Sequence, residues 1–329
     1  MPLVSTRAFV LLLAAWLALM GAEGARASVS VAADTLVVPG LQLEGMVAGF
    51  APAAAGKGVA VTLSAQRADL PAMGWKKVGV DLAGTLDRDE LGRWLFDGTL
   101  RLRGAAGGAL SNATVRIVAD AAANTLELSL TQDKAVAQVA LPIDQTSHAQ
   151  ITLKSLPAGW LQGLVGTVWS GRTTTGKVNA DIALDVLDGG LQAAGQFALD
   201  GVGFDSPGGK LAGENVSGSG RLGIDSQASG TSLDVDATLR GGNLLLGPLY
   251  AALPAHAVQL SVGARSEKGG LAIRRLRVTD PDALQIDGGS NIWVRFDRSG
   301  IIEKVNLRPL LQVDHNYVRL FASLPLEPL

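Results

Sequence analysis

Apolar and polar residues alternate with a period of two along most of the chain, from Val59 to Phe296. In TGKVNADIALDV, Val178, Ile182 and Leu184 occupy even-numbered positions, whereas Asp181 occupies an odd-numbered one. Because successive side chains of a strand lie on opposite faces, this pattern predicts strands with one apolar and one solvent-facing side. The same alternation recurs in GVAVTLSA, KVGVDLAG, TLELSLTQ, SLDVDATLR, ITLKS, AVQLSVGAR and IWVRFD.

Glycine-rich turns separate these segments, as in GAAGG, LDGG, SPGGK and RGGN. Strands joined by such short turns are antiparallel and adjacent, so the chain predicts a meander and not a helix-crossed parallel sheet. The apolar faces must be covered, because exposing them to water costs about 25 cal/mol per Å². A second sheet, closure into a barrel, or curling into a trough would each cover them. We expect an all-β protein in which an elongated, curled antiparallel meander forms an open groove.

One segment, LPAGWLQGLVGTVWSG at residues 156–171, clusters its apolar residues instead of alternating them. Pro157 suits the first turn of a helix, and Gly166 suits its end, so a short helix is predicted near residues 157–165. Two interpretations stay open: a structural cap on the apolar edge of one β layer, or a plug at the mouth of a groove. Both place its two tryptophans against the apolar face. The plug residues are Trp160, Leu161, Leu164 and Trp169.

The first 27 residues have the pattern of a cleavable secretory signal. Arg7 precedes the apolar run from Ala8 to Ala22, and the small-residue pattern ARA follows. An uncleaved membrane anchor is the alternative. The remaining chain is divided into an N-terminal β-sheet part, residues 28–155, and a C-terminal part, residues 156–329, continuous with the first. Residues 94–115 and 191–216 both run strand, glycine-rich loop, strand, which suggests an internal repeat.

Composition and motif spacing argue against catalysis. The chain contains no cysteine, its formal net charge is -2, and aromatic residues make up 5% of it. His148, His256 and His315 lie far apart without a metal-ligand motif, and Ser170 lacks the glycines of a nucleophile elbow. The acidic segment Thr279–Gly289 departs from the spacing of a calcium loop. We therefore expect no enzyme activity, no metal, no cofactor and no nucleic-acid partner.

The segment GVGFDSPGGKLAGENVSGSGRLGID, residues 201–225, taken with LPAGWLQGL, resembles the AsmA, TamB and YdbH superfamily of bacterial envelope proteins. That resemblance implies a hydrophobic groove that holds phospholipid or another acyl lipid in the periplasm, as bridge-like lipid transfer proteins do. Partner proteins of the inner or outer membrane would also be implied. The residues expected to line the groove are Val178, Ile182, Leu184, Leu233, Val235 and Leu239.

Two other functions remain open. The phrase GLVGTVWSGR, residues 163–172, is similar to a segment of the N component of type II secretion systems, which implies a role in assembly or interaction. Alternating strands of about ten residues with glycine turns also describe an outer-membrane β-barrel. The last residue, Leu329, and the presence of only two tyrosines weigh against a barrel.

Overall fold

The computed structural model describes residues 28–313 with short gaps at 39–40, 55–56, 71–74, 163–170, 188–189, 210, 228–229, 247–248, 268–269, 282–283, 289–291, 297–301 and 307–309. The chain forms two compact units, Met1–Gln132 and Asp133–Leu329. The boundary expected from the sequence, between residues 155 and 156, falls near the end of a strand within the second unit.

The first unit is an antiparallel meander in which each strand pairs with the next one along the chain. Its strands are β1 (Val29–Val38), β2 (Leu41–Pro52), β3 (Val59–Leu70), β4 (Trp75–Arg88), β5 (Trp94–Arg103), β6 (Ala113–Asp120) and β7 (Thr125–Gln132).

The second unit follows the same plan with longer strands. Its strand segments are β8 (Ala135–Pro142), β9 (His148–Pro157), β10 (Arg172–Leu187), β11 (Gly190–Asp205), β12 (Leu211–Gln227), β13 (Gly230–Arg240), β14 (Asn243–Leu246), β15 (Leu249–Ala252), β16 (Val258–Glu267), β17 (Gly270–Asp280), β18 (Leu284–Gly288), β19 (Ile292–Phe296), β20 (Ile302–Asn306) and β21 (Leu310–Val313).

Several of these segments are halves of one interrupted strand. β13 and β14 pair with successive parts of β12, and the interruption between them is the pair Gly241 and Gly242. In the same way, β18 and β19 both pair with β17, while β15 and β16 pair with β14 and β13. With the interruptions bridged, sequence neighbours pair within each unit, which confirms the predicted all-β class and antiparallel meander.

Bulges on neighbouring strands lie side by side in the second unit. The register shifts near Ser155 in β9, Gly176 in β10, Gly201 in β11 and Asn215 in β12, and each of these residues has a positive φ. A bulge adds one residue to a strand, bends it and increases its twist. The bulges therefore form a line across the strands at which the sheet changes direction.

Each bulge also changes the sequence spacing of the apolar residues. Along β9 the step is from Leu153 to Leu156, and along β11 it is from Leu199 to Val202, so the step between neighbours on one face is three positions where a regular strand has two. The extra residue keeps the apolar side chains on one face past the bend. Buried residues collect there, with Leu156 at 5% and Val216 at 4% exposure.

The first unit has an equivalent bend. Gly45 in β2 and Lys77 in β4 have positive φ, and the register of β3 shifts between Ala65 and Ala68. Leu43, Ala65 and Ala68 form a buried cluster at this position. The unit's core thus lies at the bulged ends of its strands.

We expect Gly176→Ala to destabilise the protein. The φ of Gly176 is +91°, and an added Cβ would lie 2.5 Å from the carbonyl oxygen of Gly201. Backbone strain of this kind costs about 1–3 kcal/mol, which urea unfolding would measure. Gly223→Ala is the matched control, because nothing lies within 4 Å of its added Cβ, and surface changes typically stay within about 0.5 kcal/mol. Equal midpoints for the two variants would contradict this account of the bulge.

Candidate functional site

The register of the second unit aligns its apolar residues in rows that run across the strands. Directly opposed residues of antiparallel strands lie on the same face. The row through Ile182 contains only apolar residues and glycine from β9 to β17: Ile151, Ile182, Gly195, Leu222, Val235, Val262 and Leu276.

Three further rows run parallel to this one and are equally free of polar side chains. The first is Ala149, Leu184, Ala193, Ile224, Leu233, Ala264 and Ile273. The second is Leu153, Ala180, Phe197, Gly220, Ala237, Leu260 and Val278. The third is Leu156, Val178, Leu199, Gly218, Leu239 and Val258. We call these four rows the apolar face.

The six residues expected to line a groove all lie on this face, in matching pairs. Val178 shares a row with Leu239, Ile182 with Val235, and Leu184 with Leu233, although β11 and β12 separate the two strands. Val178 is buried, with 8% exposure, and the other five are half-buried. The alternation in the sequence thus placed these residues on one surface, but only the register shows which of them are aligned.

Polar side chains occupy the opposite side of the same strands, which we call the polar face. Many of its charges are paired between strands. The hydroxyl of Thr152 donates to Asp181 over 2.8 Å, and Arg275 donates to Asp234 over 3.1 Å. Arg275 belongs to the basic sequence segment 274–277. Because charged and polar side chains are stable in water, this face can remain exposed to solvent.

A short 3-10 turn, Ala158–Leu161, covers one end of the apolar face. Ala158 forms a buried cluster with Val178 and Val202, and Leu161 packs against that cluster. Trp160 is 7% exposed. The predicted short helix is therefore a 3-10 turn that begins one residue after Pro157. Two predicted plug residues, Leu164 and Trp169, lie outside the described residues.

Gln162, at the end of this turn, forms hydrogen bonds to Gly171 and Thr173. Its side-chain amide donates to the carbonyl oxygen of Gly171 over 2.7 Å, and its carbonyl oxygen accepts from the backbone N–H of Thr173 over 2.7 Å. The hydroxyl of Thr173 also donates to the carbonyl oxygen of Ala158. These bonds connect both ends of the turn to the first residues of β10.

Two histidines have carboxylate partners that sequence spacing did not reveal. His148 contacts Asp185 on the neighbouring strand, and Nε2 of His256 lies 2.7 Å from Asp280, which is 6% exposed. The partners are 37 and 24 residues distant in sequence, so only the tertiary structure brings them together. Over the described part of the chain, no group of three or more histidine, aspartate or glutamate side chains is placed to hold a metal ion.

An ion pair joins β10 and β11 at their bulged ends. Arg172 donates from Nε and Nη2 to the two carboxylate oxygens of Asp205, over 2.9 and 3.0 Å. The hydrogen bond from Arg172 and its positive charge lower the pKa of Asp205 from its ordinary value. The same contact raises the pKa of Arg172.

Comparisons with protein-family models, with curated proteins and with solved structures give no match for this chain. Among the residues that the structure describes, no helix is long and apolar enough to cross a membrane.

We expect Trp160→Ala to destabilise the protein by about 3 kcal/mol, because truncating a buried tryptophan removes apolar contact and leaves a cavity. Trp160→Phe should recover part of this loss. Urea unfolding followed by circular dichroism measures both. A Trp160→Ala midpoint equal to that of the wild type would show that the turn does not stabilise the apolar face.

The Arg172–Asp205 pair makes stability depend on pH. Because the folded-state pKa of Asp205 is lowered, the carboxylate contributes stability above its unfolded pKa of about 3.9 and loses it as pH falls through the folded value. The wild type should therefore exceed Asp205→Asn in urea midpoint at pH 7, and the difference should shrink by pH 3. A difference that is constant with pH would contradict the ion pair.

Proposed function

We propose that the protein binds the acyl chains of lipids on the apolar face of its second unit and acts, without catalysis, in lipid binding or transfer in the bacterial envelope. One observation carries the proposal. The four rows contain no polar side chain, three of them from β9 to β17 and the fourth from β9 to β16, and most of their large side chains are only half-buried.

The energetics favour an occupant for this surface. Each half-buried Leu, Ile or Val has apolar area left to bury, at about 25 cal/mol per Å². The 3-10 turn covers only the bulged end, where Val178 and Ala158 are buried. Toward the other ends of β10 and β13, Ile182, Leu184 and Val235 have less cover. A bound apolar molecule would remove this remaining area from water.

The absence of polar groups favours acyl chains over a protein. Protein interfaces contain roughly one hydrogen bond per 100–200 Å² together with a polar rim. The side chains of the apolar face can supply none, and the strand backbones in its interior are already paired with each other. An acyl chain has no hydrogen-bonding groups, so none of its groups would lack a partner on this surface.

The sequence resemblance to the AsmA, TamB and YdbH superfamily supports the same proposal, because that resemblance implies phospholipid in a hydrophobic groove. The secretory-signal pattern at residues 1–27 supports a periplasmic location, where envelope membrane proteins would be the partners in transfer. An assembly role like that of the type II secretion N component predicts a different result, which is co-purification with secretion proteins and no bound lipid.

The test compares two lysine substitutions on adjacent residues. Ile182→Lys introduces a charge into the apolar face, and Ala183→Lys introduces the same charge on the polar face, where Ala183 is exposed. Wild-type protein purified from an envelope fraction should release phospholipid on solvent extraction. Ile182→Lys should release at least severalfold less lipid per mole of protein, and Ala183→Lys should equal the wild type.

Folding is checked for both variants by circular dichroism and urea unfolding. Recovery of folded wild-type protein that neither contains phospholipid nor takes up a fluorescent fatty acid would refute the proposal. Equal lipid content in the two folded variants would show that the lipid does not bind to the apolar face.

A further inference from the structure

The polar face of the second unit contains a cavity that lipid binding does not use. The cavity has a volume of about 510 Å³ and lies over β11, β12, β13, β16 and β17. Two polar rows line it. One passes through Gln196, Arg221, Asp236 and Ser261, and the other passes through Ser219, Thr238, Gln259 and Thr279. Its size is within the usual range for small-molecule sites, about 300–1,000 Å³.

The second row offers hydrogen bonds that the protein does not use. Within the described residues, the hydroxyls of Ser219, Thr238 and Thr279 and the amide of Gln259 have no protein partner. The amide of Gln196 in the first row is likewise without one. Hydroxyls and amides both donate and accept. Together they form a continuous line of groups that match the hydroxyls of a sugar.

The charges of the cavity leave one cation without a carboxylate. Arg277 donates to Asp287 over 3.0 Å. Asp236 accepts from the hydroxyl of Ser261 over 2.5 Å and lies 3.8 Å from Arg275. In the described structure Arg221 has no such partner, although it stands in the same row as Asp236. Its guanidinium can bind a carboxylate or phosphate through two hydrogen bonds.

We propose that this cavity binds a small anionic saccharide, a sugar with one phosphate or carboxylate group. Arg221 binds the anionic group, and the row from Ser219 to Thr279 binds the sugar hydroxyls. Most of the residues that line it belong to the two polar rows, and Phe197 and Leu260 belong to a row of the apolar face, which disfavours an acyl chain. A single unpaired arginine and the lack of a stacking aromatic ring argue against a nucleic acid.

The site is independent of lipid binding, since it lies on the other face of the same strands. Isothermal titration calorimetry of the full chain at low ionic strength tests it with four probes: glucose 6-phosphate, glucuronate, glucose and inorganic phosphate. The two anionic sugars should bind saturably, and each should bind more tightly than glucose or phosphate. The comparison of the two anionic sugars identifies whether phosphate or carboxylate is preferred.

Two substitutions assign the binding to the cavity. Arg221→Gln should weaken the affinity for glucose 6-phosphate by about tenfold or more, since a charge-assisted hydrogen-bonded pair is lost. Arg101→Gln is the control, because it removes the same charge from an exposed position in the first unit. Thr238→Val should weaken the binding of glucose 6-phosphate severalfold. It should leave the binding of inorganic phosphate unchanged, because Arg221 binds the anion.

Three results would overturn the proposal. The first is wild-type protein that binds neither anionic sugar saturably at millimolar concentration. The second is equal weakening by Arg221→Gln and Arg101→Gln, which would indicate a general charge effect. The third is inorganic phosphate binding as tightly as glucose 6-phosphate, which would show that the sugar hydroxyls are not recognised.

Discussion

The register of antiparallel pairing is the constraint on which the rest of this structure depends. Directly opposed residues share a face, so an apolar row persists only while every strand keeps its alignment with the next. A slip of one residue in β12 would place Leu222 and Ile224 among the polar side chains and bring Arg221 to the apolar face. The cost of exposing the apolar set and burying the charged one holds the alignment in place, and the cross-strand pairs of the polar face add to it.

The bulges show how this constraint is reconciled with bending. Without the added residue, the apolar side chains beyond the bend would not stay on the same face as those before it. At each bulge the extra residue changes the spacing from two to three, as from Leu153 to Leu156 and from Ala65 to Ala68. Side chains at the bend come close enough to bury one another, and the 3-10 turn adds Ala158 to the cluster in the second unit, with Leu161 packed against it. In the second unit the large buried side chains Leu156, Val178 and Val216 are therefore near the bulges, whereas most large apolar side chains in the regular parts of the strands are half-buried.

The two faces of the second unit offer different chemistry within one sheet thickness. The apolar face has area to bury and no hydrogen bond to make, which is the property on which the proposed acyl-chain site rests. The polar face has hydrogen-bonding groups above a floor of paired backbone, and over the described residues Arg221 is the cation of its cavity that has no carboxylate partner. Because alternate residues of the same strand supply both faces, a substitution at Ile182 and one at Ala183 affect different surfaces.

The sequence alone determined the all-β class, the antiparallel meander and the two-faced character of the strands, because a period of two and glycine turns are local signals. It also identified Val178, Ile182, Leu184, Leu233, Val235 and Leu239 as one apolar set and Trp160 as part of a short helical element. Steps of three, as from Leu199 to Val202, are a signal in the sequence from which the bulges could have been found. The pairing of His256 with Asp280, the alignment of β10 with β13 across two intervening strands, and the polar cavity were decided by the tertiary structure. Each depends on register between residues distant in sequence, and that register is fixed by the whole set of strands and not by any one of them.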